Sequence, residues 1–225
     1  TGITLGPLIH EFGWAFEDWD KLATGIIAGH IIECGSQVTG GNFTDWQRVR
    51  SFTNIGYPIC EIHRDGSFIV TKHPGTGGYV SVDTVREQLV YEMGDPKAYL
   101  APDVVADFSS IRLEQVGDDR VRVFGIRGFQ ATPLYKVSMA FAEGYKCIGS
   151  IAISGPNTRA KAEAFAETFW QRAQMPFTER VTEYFGWNAC HRSLGHSDDG
   201  AEILLRLGVR SADQNVLNHF AKLIA

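Results

Sequence analysis

Two glycine-rich stretches and one short acid–base pair hold most of the chemistry legible in these 225 residues. In HIIECGSQVTGGNFTD, residues 30–45, glycines Gly35, Gly40 and Gly41 lack the Cβ that would keep a ligand off the main chain. Thr39, Asn42 and Thr44 add side-chain donors and acceptors to the same loop, so the stretch reads as a cradle of amides or as a helix C-cap and turn. The second stretch, Lys72-His73-Pro74-Gly75-Thr76-Gly77-Gly78-Tyr79, runs from a strand toward a helix start. Unpaired N–H groups there, with Lys72 as a point charge, suit a carboxylate or phosphate. No Lys-Ser or Lys-Thr pair follows the glycines, so it is not a nucleotide P-loop. The ligand-binding set expected from both loops is Gly35, Thr39, Gly40, Gly41, Asn42, Lys72, Gly75, Thr76, Gly77 and Gly78.

His30 and Glu33 stand three residues apart on a helical stretch, a spacing that lets a carboxylate orient an imidazole as general base. The opposing reading is a satisfied core histidine. Asp103 and Asp107 bracket PDVVADF and can divide into acid and base only if their surroundings differ, and Asp107 ahead of Phe108-Ser109-Ser110 equally fits a turn anchor. Glu33, His30 and Asp107 form the candidate catalytic set. Lys136 and Ser138 alternate on an expected strand. Cys190, His191, His196 and Asp198 are zinc-type ligands within nine residues, but adjacent Cys190 and His191 reach one ion poorly, and no metal or cofactor is expected.

Elements must position these groups. Asp18 or Asp20 starts a helix that runs to about Cys34, where Gly35 stops it. Pro58 to Lys72 predicts a hairpin around Asp65-Gly66, and residues 82–93 predict a helix with Thr84 and Glu87 as its capping box. A second hairpin spans residues 111–126, and strands are expected over residues 134–141 and 145–153. A helix follows, capped by Asn157, with Ala162, Phe165, Ala166, Phe169 and Trp170 inward and Arg159 paired to Glu163. The last unit is a strand over residues 202–209, then a helix with Ser211 and Gln214 at capping-box spacing. Hairpins combined with strand–helix units give the fold class α/β: a layered domain with a mixed β-sheet, β-hairpins and flanking helices. Residues 1–225 are expected to form one domain or part of one.

Composition sets limits. Hydrophobic residues at 44% and charged residues at 21% describe a chain that folds, and the net charge of -5 is dispersed without a basic stripe, which excludes nucleic acid as partner. No apolar run approaches the roughly 20 residues of a membrane span. With 4 dispersed cysteines, reduced thiols and a cytoplasmic location are the expectation.

Six blocks in order, LGPLIHEFGW, AGHIIECGSQVTGGNFTDW, NIGYPICEI, FIVTKHPGTGGYVS, QLVYEMGDPKAYLAPDVVADF and YKVSMAF, resemble the acyclic terpene utilisation protein A family across most of the chain. The resemblance implies a role in acyclic terpene catabolism, with a branched acyl-CoA or carboxylate as substrate class. It also implies a longer protein with strand–helix units before Thr1. It favours the loop over residues 33–46, then KHPGTGG, then DVVADF as the site; His73 departs from the pattern, which bears on anion preference there. Two functions from different classes follow: a lyase or hydratase whose loop amides polarise a carbonyl while Glu33, His30 or Asp107 moves a proton, or a non-catalytic subunit that binds an acyl ligand or a partner enzyme. The partners expected are a small-molecule acyl or carboxylate ligand and, among proteins, a second copy or a partner subunit.

Overall fold

The computed structural model describes residues 2–135, 137–190 and 200–224, and the chain divides into two compact units, residues 1–137 and 138–225. The first unit opens with α1 (Leu5–Phe12) and α2 (Trp19–Glu33). Helix α2 is apolar all round, and every residue from Leu22 to Ile31 is buried, as expected of a helix at the centre of a core rather than on a surface. Strands β1 (Pro58–Ile62) and β2 (Phe68–Lys72) form the predicted hairpin, with Pro58 opposite Lys72 and Ile62 opposite Phe68. Then come α3 (Val82–Val90), β3 (Tyr99–Leu100), β4 (Val104–Asp107), β5 (Arg112–Gly117), β6 (Arg120–Phe124) and β7 (Arg127–Gln130).

These strands make a sheet in the order β1-β2-β6-β5 and a smaller one in the order β3-β4-β7. Helix α2 packs against β1, β4, β7 and α3. Its start is pinned by β7: the Gly128 amide donates to Asp20 Oδ1 at 2.8 Å, and a Cβ on Gly128 would collide with the Trp19 carbonyl, so the strand crosses there only as glycine. Leu22, Ile26, Ile27 and Ile31 of α2 share one core with Phe68, Val70, Val85, Val104, Val121 and Val123.

In the second unit, β8 (Tyr145–Ser154), α4 (Thr158–Arg172), β9 (Glu179–Phe185), β10 (Glu202–Ser211) and α5 (Gln214–Ile224) make a three-stranded sheet in the order β8-β10-β9, with both helices packed on it. Its core joins Leu205, Leu207 and Val209 of β10 to Phe169, Leu217 and Phe220 of the helices.

The chain therefore combines helices with layered sheets, as the hairpins and strand–helix stretches imply. Every ladder among the described residues is antiparallel. Three local expectations are corrected. The described residues of the stretch 134–141 carry no strand: Leu134, Tyr135, Val137, Met139 and Phe141 are exposed, and alternation alone makes no strand without a neighbour to pair with and a face to cover. The capping box of α3 lies one step earlier, between Ser81 and Thr84: Ser81 Oγ accepts from the Thr84 amide and Thr84 Oγ1 from the Ser81 amide. Asn157 precedes α4 at φ 59° but makes no side-chain cap bond, while Phe165 on that helix is 37% exposed.

Candidate functional site

The two glycine-rich loops meet, and their meeting closes the cradle expected of them. The Tyr79 amide donates to the Thr39 carbonyl at 2.9 Å, and the Thr39 hydroxyl reaches the carbonyls of Gly56 at 2.7 Å and Ser36 at 2.9 Å. The Gly40 amide donates to Gln37, the Gly41 amide to Ser36, the Gly77 amide to Asn54 and the Gly78 amide to Ile55, each carbonyl being the chain's own. A Cβ on Gly78 would lie 2.9 Å from the Thr39 carbonyl and closer still to that of Ile55. Glycine is required here by contact between protein segments. The Thr76 amide turns back to His73, and Lys72, 5% exposed in its side chain, donates to the Thr76 carbonyl at 2.8 Å and lies 3.4 Å from Asp119. Burial pushes the Asp119 carboxyl up, but the Val80 amide, Arg50 and Lys72 outweigh it and hold the group below the usual carboxylate range. The expected anion site at Gly40, Gly41, Gly77, Gly78 and Lys72 is corrected accordingly: these amides and this cation are engaged within the protein. Gly35, at φ 57°, has the Tyr57 ring against it; Gly75 and Asn42 are exposed at the loop surface.

His30 and Glu33 stand together near the end of α2, His30 Nδ1 lying 3.7 Å from Glu33 Oε2. His30 is 3% exposed in the last turn of α2, with its ring edge-on to Phe108 and Tyr99 at centroid distances of 5.4 and 5.6 Å. Its Nε2 sits 3.0 Å from the Gln88 carbonyl, an acceptor only, so Nε2 carries the proton of the neutral ring. Gln88 returns the contact, its Nε2 donating to the His30 carbonyl at 2.8 Å. That leaves Nδ1 as a lone pair: it is buried without a hydrogen-bond partner, 3.7 Å from Glu33 Oε2. Burial holds the imidazole below its ordinary range, against the upward pull of the Gln88 carbonyl and of Glu33 and Glu92. Nδ1 is therefore an unprotonated base at neutral pH.

His30 belongs to the lining of an open hollow of about 650 Å³, with Glu33, Glu92, Gly94, Asp95, Ala98, Tyr99 and Leu100. The volume is that of a small-molecule site. Three carboxylates and, among the described residues, no Lys or Arg line it, which disfavours an anionic group there.

Asp107 has a different task. Its Oδ1 accepts from the Ser109 amide at 2.9 Å and from the Ser109 hydroxyl at 2.5 Å, so the turn-anchor reading holds and the carboxylate is not among the groups lining the hollow. Burial pushes the Cys60 thiol up to about 12, which leaves it inert as a nucleophile. Among the described residues no group of three or more His, Cys, Asp or Glu is arranged to hold a metal ion. His191, His196 and Asp198 of the sequence cluster, and Lys136, lie outside the described residues.

Set beside known families, residues 1–225 match the model described as "Acyclic terpene utilisation family protein AtuA". The chain belongs to this family. The curated proteins and the solved structures give no match. As a member of the acyclic terpene utilisation family, the chain takes from that membership a place in acyclic terpene utilisation; no helix among its described residues is long and apolar enough to cross a membrane.

Sequence reasoning found two members of the family chain's hollow and missed Glu92, Asp95 and Tyr99. Glu92 and Asp95 lie in YEMGDP, read only as the end of a helix. Helix α3 in fact stops at Val90, and Glu92 takes φ 52°, a left-handed conformation rare outside glycine and asparagine. The Gly94-Asp95-Pro96 turn was the available signal, since a turn of this kind returns the chain toward the helix it has left.

Proposed function

We propose that this member of the acyclic terpene utilisation family is an enzyme that transfers a proton at an uncharged branched acyl group, a thioester in lyase or hydratase chemistry. His30 Nδ1 takes the proton and Glu33, beside it, steadies the imidazolium that forms. The observation that carries the reading is the buried Nδ1, without a hydrogen-bond partner, of a histidine that lines the hollow. A protein ordinarily satisfies such an atom, because a buried polar group without a partner costs about 1–3 kcal/mol. A substrate C–H or water O–H supplies the missing donor.

The acidic lining narrows the choice. A free carboxylate or a phosphate at the base would stand beside Glu33, Glu92 and Asp95, whereas a thioester carbonyl and its α-carbon bring no charge. The amides at Gly40, Gly41, Gly77 and Gly78 are already bonded and are not free to hold an enolate oxygen.

The test is deuterium uptake at the α-carbon of a panel of branched acyl thioesters in D2O, with the intact chain and its His30→Gln and Glu33→Gln variants. Uptake by the parent chain and a loss of about a hundredfold or more in His30→Gln are expected, the usual range for a general base. No uptake on any thioester, or equal uptake by His30→Gln, overturns the reading. Binding of a thioester without uptake would favour the second reading, a non-catalytic acyl-binding subunit, which the closed amides of the glycine loops support.

A further inference from the structure

A second hollow, about 500 Å³, adjoins the first. Its lining is Leu100, Ala101, Pro102, Thr132, Leu134 and Tyr135, and Leu100 belongs to both. Strand β3 accounts for the division. Successive side chains of a strand point to opposite sides, so Tyr99 meets the His30 ring while Leu100 is turned outward, 58% exposed. Leu134 and Tyr135 are 77% and 87% exposed, and the Thr132 hydroxyl accepts from the Leu134 amide at 3.2 Å, which fixes the turn carrying them. The result is an open gutter with carbon walls, beginning where the carboxylate-lined hollow ends. An exposed apolar patch continuous with a polar small-molecule hollow is the arrangement for a guest with one polar and one apolar end.

We propose that this gutter holds the hydrocarbon tail of the molecule whose polar end lies at His30, and that Leu100 sets the length and branching of chain that can pass. The proposal rests on the reading of the His30 hollow as a binding site for an uncharged acyl group. The occupant follows from the two linings together: Glu33, Glu92 and Asp95 oppose an anionic end at the base, and among the described residues no charged side chain lines the gutter to oppose a hydrocarbon. Tyr135 and Leu134, open to solvent on one side, tolerate a methyl branch.

The experiment is calorimetric titration of the intact chain with N-acetylcysteamine thioesters of straight-chain acids from four to twelve carbons. These probes are uncharged and differ only in tail length. Affinity is expected to rise about two- to fourfold per added methylene until the gutter is filled, then level off. Leu100→Asp flattens the series; Tyr135→Ser, at a more exposed position, halves the slope and guards against a folding defect at Leu100. His30→Gln keeps the slope whatever it does to deuterium uptake. A slope with no uptake by the parent chain would sink the proton-transfer reading and leave the gutter standing. A flat series in the parent chain, an equal slope in Leu100→Asp, or binding that weakens as protein concentration rises because a second copy covers the gutter, overturns the proposal.

Discussion

His30 shows how one backbone carbonyl can decide which atom of a side chain does chemistry. Because the Gln88 carbonyl accepts from Nε2, the free lone pair is at Nδ1, on the Glu33 side. The spacing of His30 and Glu33 was legible as one turn of helix; the tautomer was not, since it depends on Gln88, 58 residues away. The same burial that frees the base makes it sensitive to acid. Its folded-state pKa is depressed, so between that value and the unfolded value of about 6.5 the unfolded chain binds more protons than the folded one. The contribution to stability is complete above about pH 6.5 and declines as pH falls through that window. Melting temperatures from pH 8 to pH 5 should therefore fall less steeply for His30→Gln than for the parent chain. Parallel curves would show that the imidazole is not desolvated as described.

At the scale of elements, local signals were read well where neighbouring residues alone determine the structure. The hairpin of β1 and β2 closes on Asp65-Gly66 with Gly66 at φ 89°, and Asp65 Oδ1 accepts from the Ser67 amide, both consequences of turn chemistry. Strands β3, β4, β7 and β9 went unread because they are short or exposed and exist through pairing with distant partners. The stretch 134–141 differs the other way, with the alternation of a strand and no ladder among its described residues. The capping box of α3 is an instructive near miss, since Ser81, Thr84 and Glu87 are spaced three apart and offer two registers. Ser81 wins because Thr84 can answer it, and Glu87 instead meets the Thr44 amide at 3.2 Å. Ser81→Ala should lower stability by about 1 kcal/mol in urea unfolding, whereas Glu87→Ala should change it by a few tenths. The reverse order would restore the Thr84–Glu87 box. The glycines of residues 35–41 and 75–78 were legible as close approach, but not what approaches: a missing Cβ admits a ligand and a neighbouring carbonyl equally well.

For the whole molecule, each of the two compact units has its own core, the first around α2 and the second around Phe220. Sequence periodicity marked α2 to α5, though neither α1 nor the division, because no glycine- or serine-rich linker stands near residue 137 and the boundary stretch has the hydrophobicity of a strand. Phe220 is 0% exposed and meets Phe169, Trp170 and Phe177 at centroid distances of 5.6, 6.2 and 5.8 Å. Truncating a buried aromatic of this kind removes both transfer energy and packing, about 3–5 kcal/mol. If each core supports its own unit, Phe220→Ala should speed amide exchange through β8, β10 and α4 by a hundredfold or more while α2 keeps its protection. The His30 hollow, built wholly from the first unit, should then still take up a thioester in that variant. Equal acceleration in α2 would show that the two cores melt as one cooperative structure, and the hollow would then lose its guest along with the second core.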